Sequence, residues 1–214
     1  MNSIKKGYIK LKRIYQTKKL NYWLSILGSL IIGTMSIINT LMSFSSFTLY
    51  YAIFAFSLAI IKLISMFLKK VNMGNGILLY GSISLIFLSF PLVLSLIETI
   101  LYKDKVEYIF FWIIYAYALY GTIKFVNAII GLNKNKKLKN NYLKINSYFA
   151  FIGALYTIQM MEFSLIATFG EGEDLFILQM FTLGTIFAIC ILLSVKMFVE
   201  YVKNKKMKHI DTKL

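Results

Sequence analysis

The sequence contains very few of the residues on which most catalytic and metal-binding sites are built. Among 214 residues there are one cysteine, one histidine and one proline. The lone Cys190 has no intramolecular partner, which excludes a disulfide framework, and we expect it to be inert packing. The lone His209 lies in a basic tail, so neither a histidine-based metal site nor a Ser-His-Asp arrangement is available to the apolar part of the chain.

Enzyme motifs are missing as well. There is no Gly-x-x-x-x-Gly-Lys loop for binding phosphate. No aspartate falls within the long apolar stretches, which excludes the paired aspartates of an intramembrane protease. A membrane-embedded lipid-modifying enzyme is the least favoured alternative, because the chain offers no nucleophile or metal set for it. We therefore expect a non-enzymatic protein without cofactor or metal.

Apolar residues are abundant. They make up 58% of the chain, against 15% charged residues, and a soluble globule of this size cannot bury so much apolar surface. A helix of about 20 apolar residues crosses a bilayer core about 30 Å thick. Six stretches reach that length, namely 22–43, 48–68, 77–102, 108–131, 146–169 and 175–202. Because backbone groups find no water in the bilayer, we predict an all-α, polytopic integral membrane protein with six transmembrane helices.

The basic residues are distributed unevenly along the chain. They cluster before the first stretch, after the second, between the fourth and fifth, and after the sixth. Since positively charged loops stay in the cytoplasm, both termini are predicted to be cytoplasmic. The domain organisation is then a basic amphipathic segment (1–21), a transmembrane domain (22–202) and a basic tail (203–214). Frequent Ile, Lys, Asn, Phe and Tyr indicate an AT-rich genome, so the predicted location is a bacterial cytoplasmic membrane.

The amino-terminal segment has two interpretations. Ile4, Tyr8, Leu11 and Tyr15 recur at helical spacing, with lysines and Arg13 elsewhere. The segment either lies on the inner membrane surface, where each cation near anionic lipid contributes about 1 kcal/mol, or is a flexible tail that only sets orientation. Anionic lipids are the expected partner. Nucleic acid is not expected, because no recognised nucleic-acid module accompanies the net charge of +15.

Three lysines interrupt the apolar stretches at similar places. Lys62, Lys124 and Lys196 lie near the inner ends of the second, fourth and sixth stretches, and each is preceded by a glycine in the stretch before it. This regularity predicts three two-helix hairpin repeats. At a depth of about 8 to 10 Å the lysines are within reach of the inner surface as snorkelling anchors. Alternatively, approximate symmetry brings the three amines together at an inner vestibule that attracts anions or lipid head groups.

A polar stripe occurs in the fifth stretch. Tyr156, Gln159 and Glu162 are three residues apart and so lie roughly on one helix face. We place the carboxyl group about 10 Å below the outer surface, where it has to be shielded or protonated. The stripe fits a proton or cation relay. The alternative is a neutral glutamic acid that is hydrogen-bonded to a neighbouring helix for packing specificity.

Residues 27–40 carry the clearest motif, Leu-Gly-Ser-Leu-Ile-Ile-Gly-Thr-Met-Ser-Ile-Ile-Asn-Thr. This segment resembles the glycine-spaced apolar helix of the HdeD-like family of bacterial membrane proteins, which ends in Leu-Asn-Pro. Thr40 stands where that proline would be expected. The family is built from two-span repeats and is associated with acid resistance, so the resemblance implies a six-span bundle and a role in stress or envelope physiology. It supplies no catalytic residues.

Two functional hypotheses remain open. The first is a non-enzymatic inner-membrane protein that acts by packing with itself as a homo-oligomer or with an unknown membrane partner. The second is a small transporter component, such as the substrate-binding subunit of a vitamin uptake system or a permease half that needs an ATPase. A co-purified small molecule would favour the second.

Overall fold

The structure, a computed structural model, consists of helices. It describes residues 2–43, 46–71, 73–102, 111–136, 140–169 and 174–211. The helices in these ranges are α1 (Asn2–Ser43), α2 (Ser46–Lys70), α3 (Gly76–Tyr102), α4 (Phe111–Lys136), α5 (Asn141–Phe169) and α6 (Asp174–Asp211). The predicted all-α class is therefore confirmed. Helix α1 runs without a break through the predicted boundary between residues 21 and 22.

Four of these helices contain segments long and apolar enough to cross a membrane. The segments are Tyr22–Met42, Thr48–Lys70, Gly76–Glu98 and Ile177–Lys205. Their outward faces carry large apolar side chains, including Leu41, Phe87 and Phe181, which is expected of a surface that faces lipid. Helices α4 and α5 have 26 and 29 residues, so at 1.5 Å per residue they are about 39 and 44 Å long. That length is enough to cross the apolar core of a bilayer.

Three helices form the centre of the bundle. Helices α2, α3 and α5 pack against one another. One peripheral helix packs mainly on each of them: α1 on α2, α6 on α3 and α4 on α5. Burial agrees with this arrangement, since 50% and 56% of the apolar segments of α2 and α3 are buried but only 22% of that of α6. The core contains Cys190, which is free and buried as expected.

This packing differs from the predicted succession of three hairpins. Helices α1 and α2 do pair closely, but within the described ranges α3 packs mainly on α6, and α4 packs mainly on α5. Small residues explain the α3–α6 contact, because they let helices approach closely. A Cβ atom on Gly81 would lie 2.9 Å from Met197 Sδ, and the hydroxyls of Ser82 and Ser194 are 3.0 Å apart. Spacing along the chain carries no information about such contacts.

Candidate functional site

The side chain of Lys62 is buried inside the bundle. Its exposed fraction is 1%, and its Nζ donates a hydrogen bond to Ser25 Oγ of α1 at 2.8 Å. Lys62 lies three residues from the middle of the apolar segment Thr48–Lys70, which is about 5 Å along the helix axis. Snorkelling to the inner surface therefore does not describe this lysine, since its amine is held by a neighbouring helix.

Lys124 of α4 reaches the same interior region from another side. Its Nζ donates to Thr157 Oγ1 at 3.3 Å and lies 5.3 Å from the centre of the Tyr120 ring, a cation–π distance. Thr157 donates its own proton to the Gly153 carbonyl at 2.7 Å, so its oxygen faces the amine as an acceptor. A Cβ atom on Gly153 would lie 3.5 Å from Lys124 Nζ and 2.6 Å from Leu58, one helical turn before Lys62 on α2, and the positive charge of Lys124 acts on Lys62. The structure thus brings two of the three predicted lysines together.

Lys196 lies elsewhere. Its side chain is exposed on the peripheral helix α6, and its Nζ is 5.6 Å from the centre of the Tyr148 ring. The predicted vestibule of three amines is therefore not what the structure contains. The physical reason is helix rotation. Lys124 and Lys196 both lie on peripheral helices, but Lys124 faces α5 whereas Lys196 is on the exposed face of α6.

Two glycines make room for this pair of lysines. A Cβ atom on Gly153 would lie 2.6 Å from Leu58 Cδ2 and 3.5 Å from Lys124 Nζ. A Cβ atom on Gly28 would lie 1.9 Å from the hydroxyl oxygen of Tyr120. Glycine at position 28 thus lets the Tyr120 side chain of α4 reach across to α1. Four helices, α1, α2, α4 and α5, contribute to the surroundings of Lys62 and Lys124.

A hydroxyl network lies beside Lys62 on the side of the chain termini. Tyr22 Oη is 2.6 Å from the Lys62 carbonyl oxygen and 2.7 Å from Ser65 Oγ. Asn146 Oδ1 lies 3.1 Å from both of these hydroxyl oxygens. The Tyr22 and Ser65 hydroxyls have one proton each, so each of them donates to one acceptor at a time. Sequence reasoning missed this network, since serine, tyrosine and asparagine are ordinary residues at the ends of apolar stretches.

The two lysines have no nearby carboxylate in the described helices. Acidic residues of these helices are Glu98, Glu162, Asp174, Glu200 and Asp211. Glu200 pairs with Lys144 at 2.5 Å near the end of the bundle that holds the termini. Glu162 is nine residues from Gly153 and five from Thr157, the two α5 residues at the Lys124 amine, which is about 8 to 14 Å along α5. The structure describes no ion pair between Glu162 and either lysine.

The three residues of the predicted polar stripe on α5 lie in different environments. Tyr156 is buried, stacks on Phe54 with ring centres 3.6 Å apart, and donates to the Tyr50 carbonyl at 3.2 Å, so it belongs to the core. Gln159 is 1% exposed, and neither atom of its amide has a hydrogen-bond partner within the described ranges. Glu162 is half-buried and lies near Thr182 on α6, whose hydroxyl donates to backbone carbonyls of α6, and Oε1 of Glu162 has no described partner.

The part of the chain that the structure describes contains no group of three or more His, Cys, Asp or Glu side chains that could hold a metal ion. Comparisons of the chain with family models, with curated proteins and with solved structures find no match. Function is therefore inferred from the arrangement of the residues of this chain alone.

Proposed function

We propose that this chain is a non-enzymatic, multi-pass membrane protein that binds a small anion inside its helix bundle, between Lys62 and Lys124. The observation that supports the proposal is the burial of Lys62 beside a second lysine. Hydroxyl groups are the hydrogen-bond partners described for both amines. Binding of an anion in the bundle favours a transporter component or substrate-binding subunit over a protein that acts by packing alone.

The energetic reason is the cost of buried charge. A lysine at the centre of a transmembrane helix costs about 2.5 to 3.5 kcal/mol on insertion scales, and a second amine of the same sign adds repulsion. Buried charges are normally paired, and an anion between the amines would offset both costs. An ammonium group has three N–H donors. Each of these amines makes one hydrogen bond among the described residues, so donors remain for an anion.

A binding experiment tests the proposal. The purified protein is melted in potassium chloride, nitrate, sulfate or phosphate, each compared with potassium gluconate at equal ionic strength. We expect at least one small anion to raise the melting temperature of the wild type in a saturable way. Lys62→Met and Lys124→Met should lose that response, whereas Lys196→Met, the same substitution at an exposed position, should keep it. Equal melting in all five salts, or an unchanged response in Lys62→Met, would contradict the proposal.

Transport is tested separately from binding. Proteoliposomes loaded with the stabilising anion should release it faster than protein-free vesicles, and Lys62→Met should abolish the difference. Binding without release would identify a binding subunit that needs a partner. If neither anion binding nor anion release is observed, the hypothesis that the protein acts by packing remains. The stress or envelope role in that hypothesis rests on the resemblance of residues 27–40 alone.

The proposed topology has six spans, both termini in the bacterial cytoplasm, and basic segments in contact with anionic lipids. Uneven basic charge supports this orientation. The test uses a Cys190→Ser background with a single cysteine, either Ser45→Cys or Asn204→Cys. A membrane-impermeant maleimide should label the first in intact cells and the second only after permeabilisation. The reverse labelling pattern would refute the orientation.

A further inference from the structure

The half of the bundle away from the termini contains buried polar side chains but no basic residue in the described helices. This outer half comprises 33–43, 46–60, 87–102, 111–119, 155–169 and 174–190, and it has no lysine, arginine or histidine. Glu98 and Glu162 lie in it. A carboxylate in an apolar bundle requires a proton, a hydrogen-bond donor or a cation. For Glu162, the Lys124 amine enters the outer half only at its edge, at Thr157, five residues away along α5.

The register of α3 and α5, extended along both helices, predicts that these carboxyl groups lie at one level. The two helices run parallel, because Asn141 Nδ2 donates to Asn75 Oδ1 at 3.2 Å, and a Cβ atom on Gly81 would lie 3.1 Å from Ile145 Cγ1. Advancing 17 residues from Gly81 gives Glu98, and advancing 17 from Ile145 gives Glu162.

The same register predicts that a serine lies opposite the Gln159 amide. Advancing 14 residues from that glycine–isoleucine contact gives Ser95 on α3 and Gln159 on α5. Because 14 residues make nearly four helical turns, both residues return to the face where α3 and α5 meet. Each has an exposed fraction of 1%, so this polar pair is enclosed by the bundle.

Gln159 supplies independent evidence for a ligand. Neither its Oε1 nor its Nε2 has a hydrogen-bond partner in the described ranges, and the same holds for Oε1 of Glu162. A buried polar group without a partner costs about 1 to 3 kcal/mol. Two adjacent side chains on one helix face therefore carry an unfavourable energy that a bound ion, together with water, would relieve.

We infer that Gln159 and Glu162, together with Ser95 and Glu98 across the α3–α5 contact, bind a monovalent cation of the size of Na⁺. Carboxylate, amide and hydroxyl oxygens are the ligands that hard cations prefer. The described residues contain no group of three or more His, Cys, Asp or Glu side chains, and a monovalent cation needs less carboxylate charge around it than a divalent one. Its α5 residues lie about 3 to 14 Å along the helix from Gly153 and Thr157, the residues at the Lys124 amine, and the inference does not depend on the proposed anion site.

A cation titration at constant chloride tests this inference without altering anion binding. The purified protein is melted while NaCl replaces choline chloride at fixed total salt, with KCl as a second series. We expect a saturable rise in melting temperature with Na⁺ and a smaller one with K⁺. Glu162→Gln and Gln159→Leu should weaken the apparent Na⁺ affinity by about tenfold or more, which corresponds to about 1.4 kcal/mol.

Glu200→Gln is the matched control, because it removes a carboxylate by the same substitution at the opposite end of the bundle. It should keep the Na⁺ response of the wild type. If Glu162→Gln does not fold, Gln159→Leu and equilibrium binding of ²²Na⁺ to the wild type decide the question. Identical melting in NaCl, KCl and choline chloride, with no bound ²²Na⁺, would overturn the inference whatever the anion experiments show.

Discussion

Replacing Lys62 with methionine is expected to stabilise the protein while it removes the response to anions. Methionine keeps an unbranched apolar stem of similar length, so the substitution leaves no large cavity. It removes the ammonium group, the 2.8 Å hydrogen bond to Ser25 and the repulsion from Lys124. The substitution thus separates the energetic cost of the buried amine from the packing of its stem.

The expected change in the free energy of unfolding combines two opposing contributions with the loss of a charge repulsion. Removing a charge from the centre of an apolar helix recovers about 3 kcal/mol, and losing a hydrogen bond from a charged donor costs about 1.5 to 3 kcal/mol. The end of the repulsion from Lys124 acts in the stabilising direction, so we expect a net gain of about 1 to 2 kcal/mol. For a protein of this size that is about 2 to 8 °C in melting temperature.

The assay compares two lysine-to-methionine variants in the same detergent without a binding anion. Circular dichroism at 222 nm gives the melting temperature of the wild type, Lys62→Met and Lys196→Met. The exposed Lys196 side chain should change stability by less than about 0.5 kcal/mol. If Lys62→Met instead melts several degrees below the wild type, the buried amine is a structural hydrogen-bond donor and the functional interpretation fails.

Two further predictions concern packing and surface charge. Gly28→Ala should lower stability by about 1 to 3 kcal/mol, because its Cβ would lie 1.9 Å from the Tyr120 hydroxyl, whereas Gly184→Ala, with no atom within 4 Å of its Cβ, should be neutral or slightly stabilising. Equal melting temperatures for these two variants would show that Tyr120 moves aside without cost. Lys144→Met should lower the free energy of unfolding by less than about 1 kcal/mol, because the bridge to Glu200 is partly exposed. Chemical unfolding at low and high salt measures this, and a loss of several kcal/mol would contradict it.

Helix positions were predictable because they depend on local hydrophobicity. The stretches 48–68 and 77–102 correspond to α2 (Ser46–Lys70) and α3 (Gly76–Tyr102) within about two residues at each end. An apolar run of this length satisfies its backbone hydrogen bonds within itself, so its own residues suffice to specify a helix. The pairing of helices was less predictable, since α3 packs mainly on α6 through contacts such as Ser82 with Ser194.

The sequence by itself determined which residues are exceptional. A lysine or a glutamic acid such as Glu162 within an apolar run is recognisable from its neighbours along the chain. The free-energy cost of its charge depends on the apolar surroundings that the run itself creates. Only the tertiary structure decided which of these residues meet. Lys62 and Lys124 converge while Lys196 faces outward, because helix order, rotation and register depend on contacts between side chains far apart in the chain, which spacing along the chain does not encode.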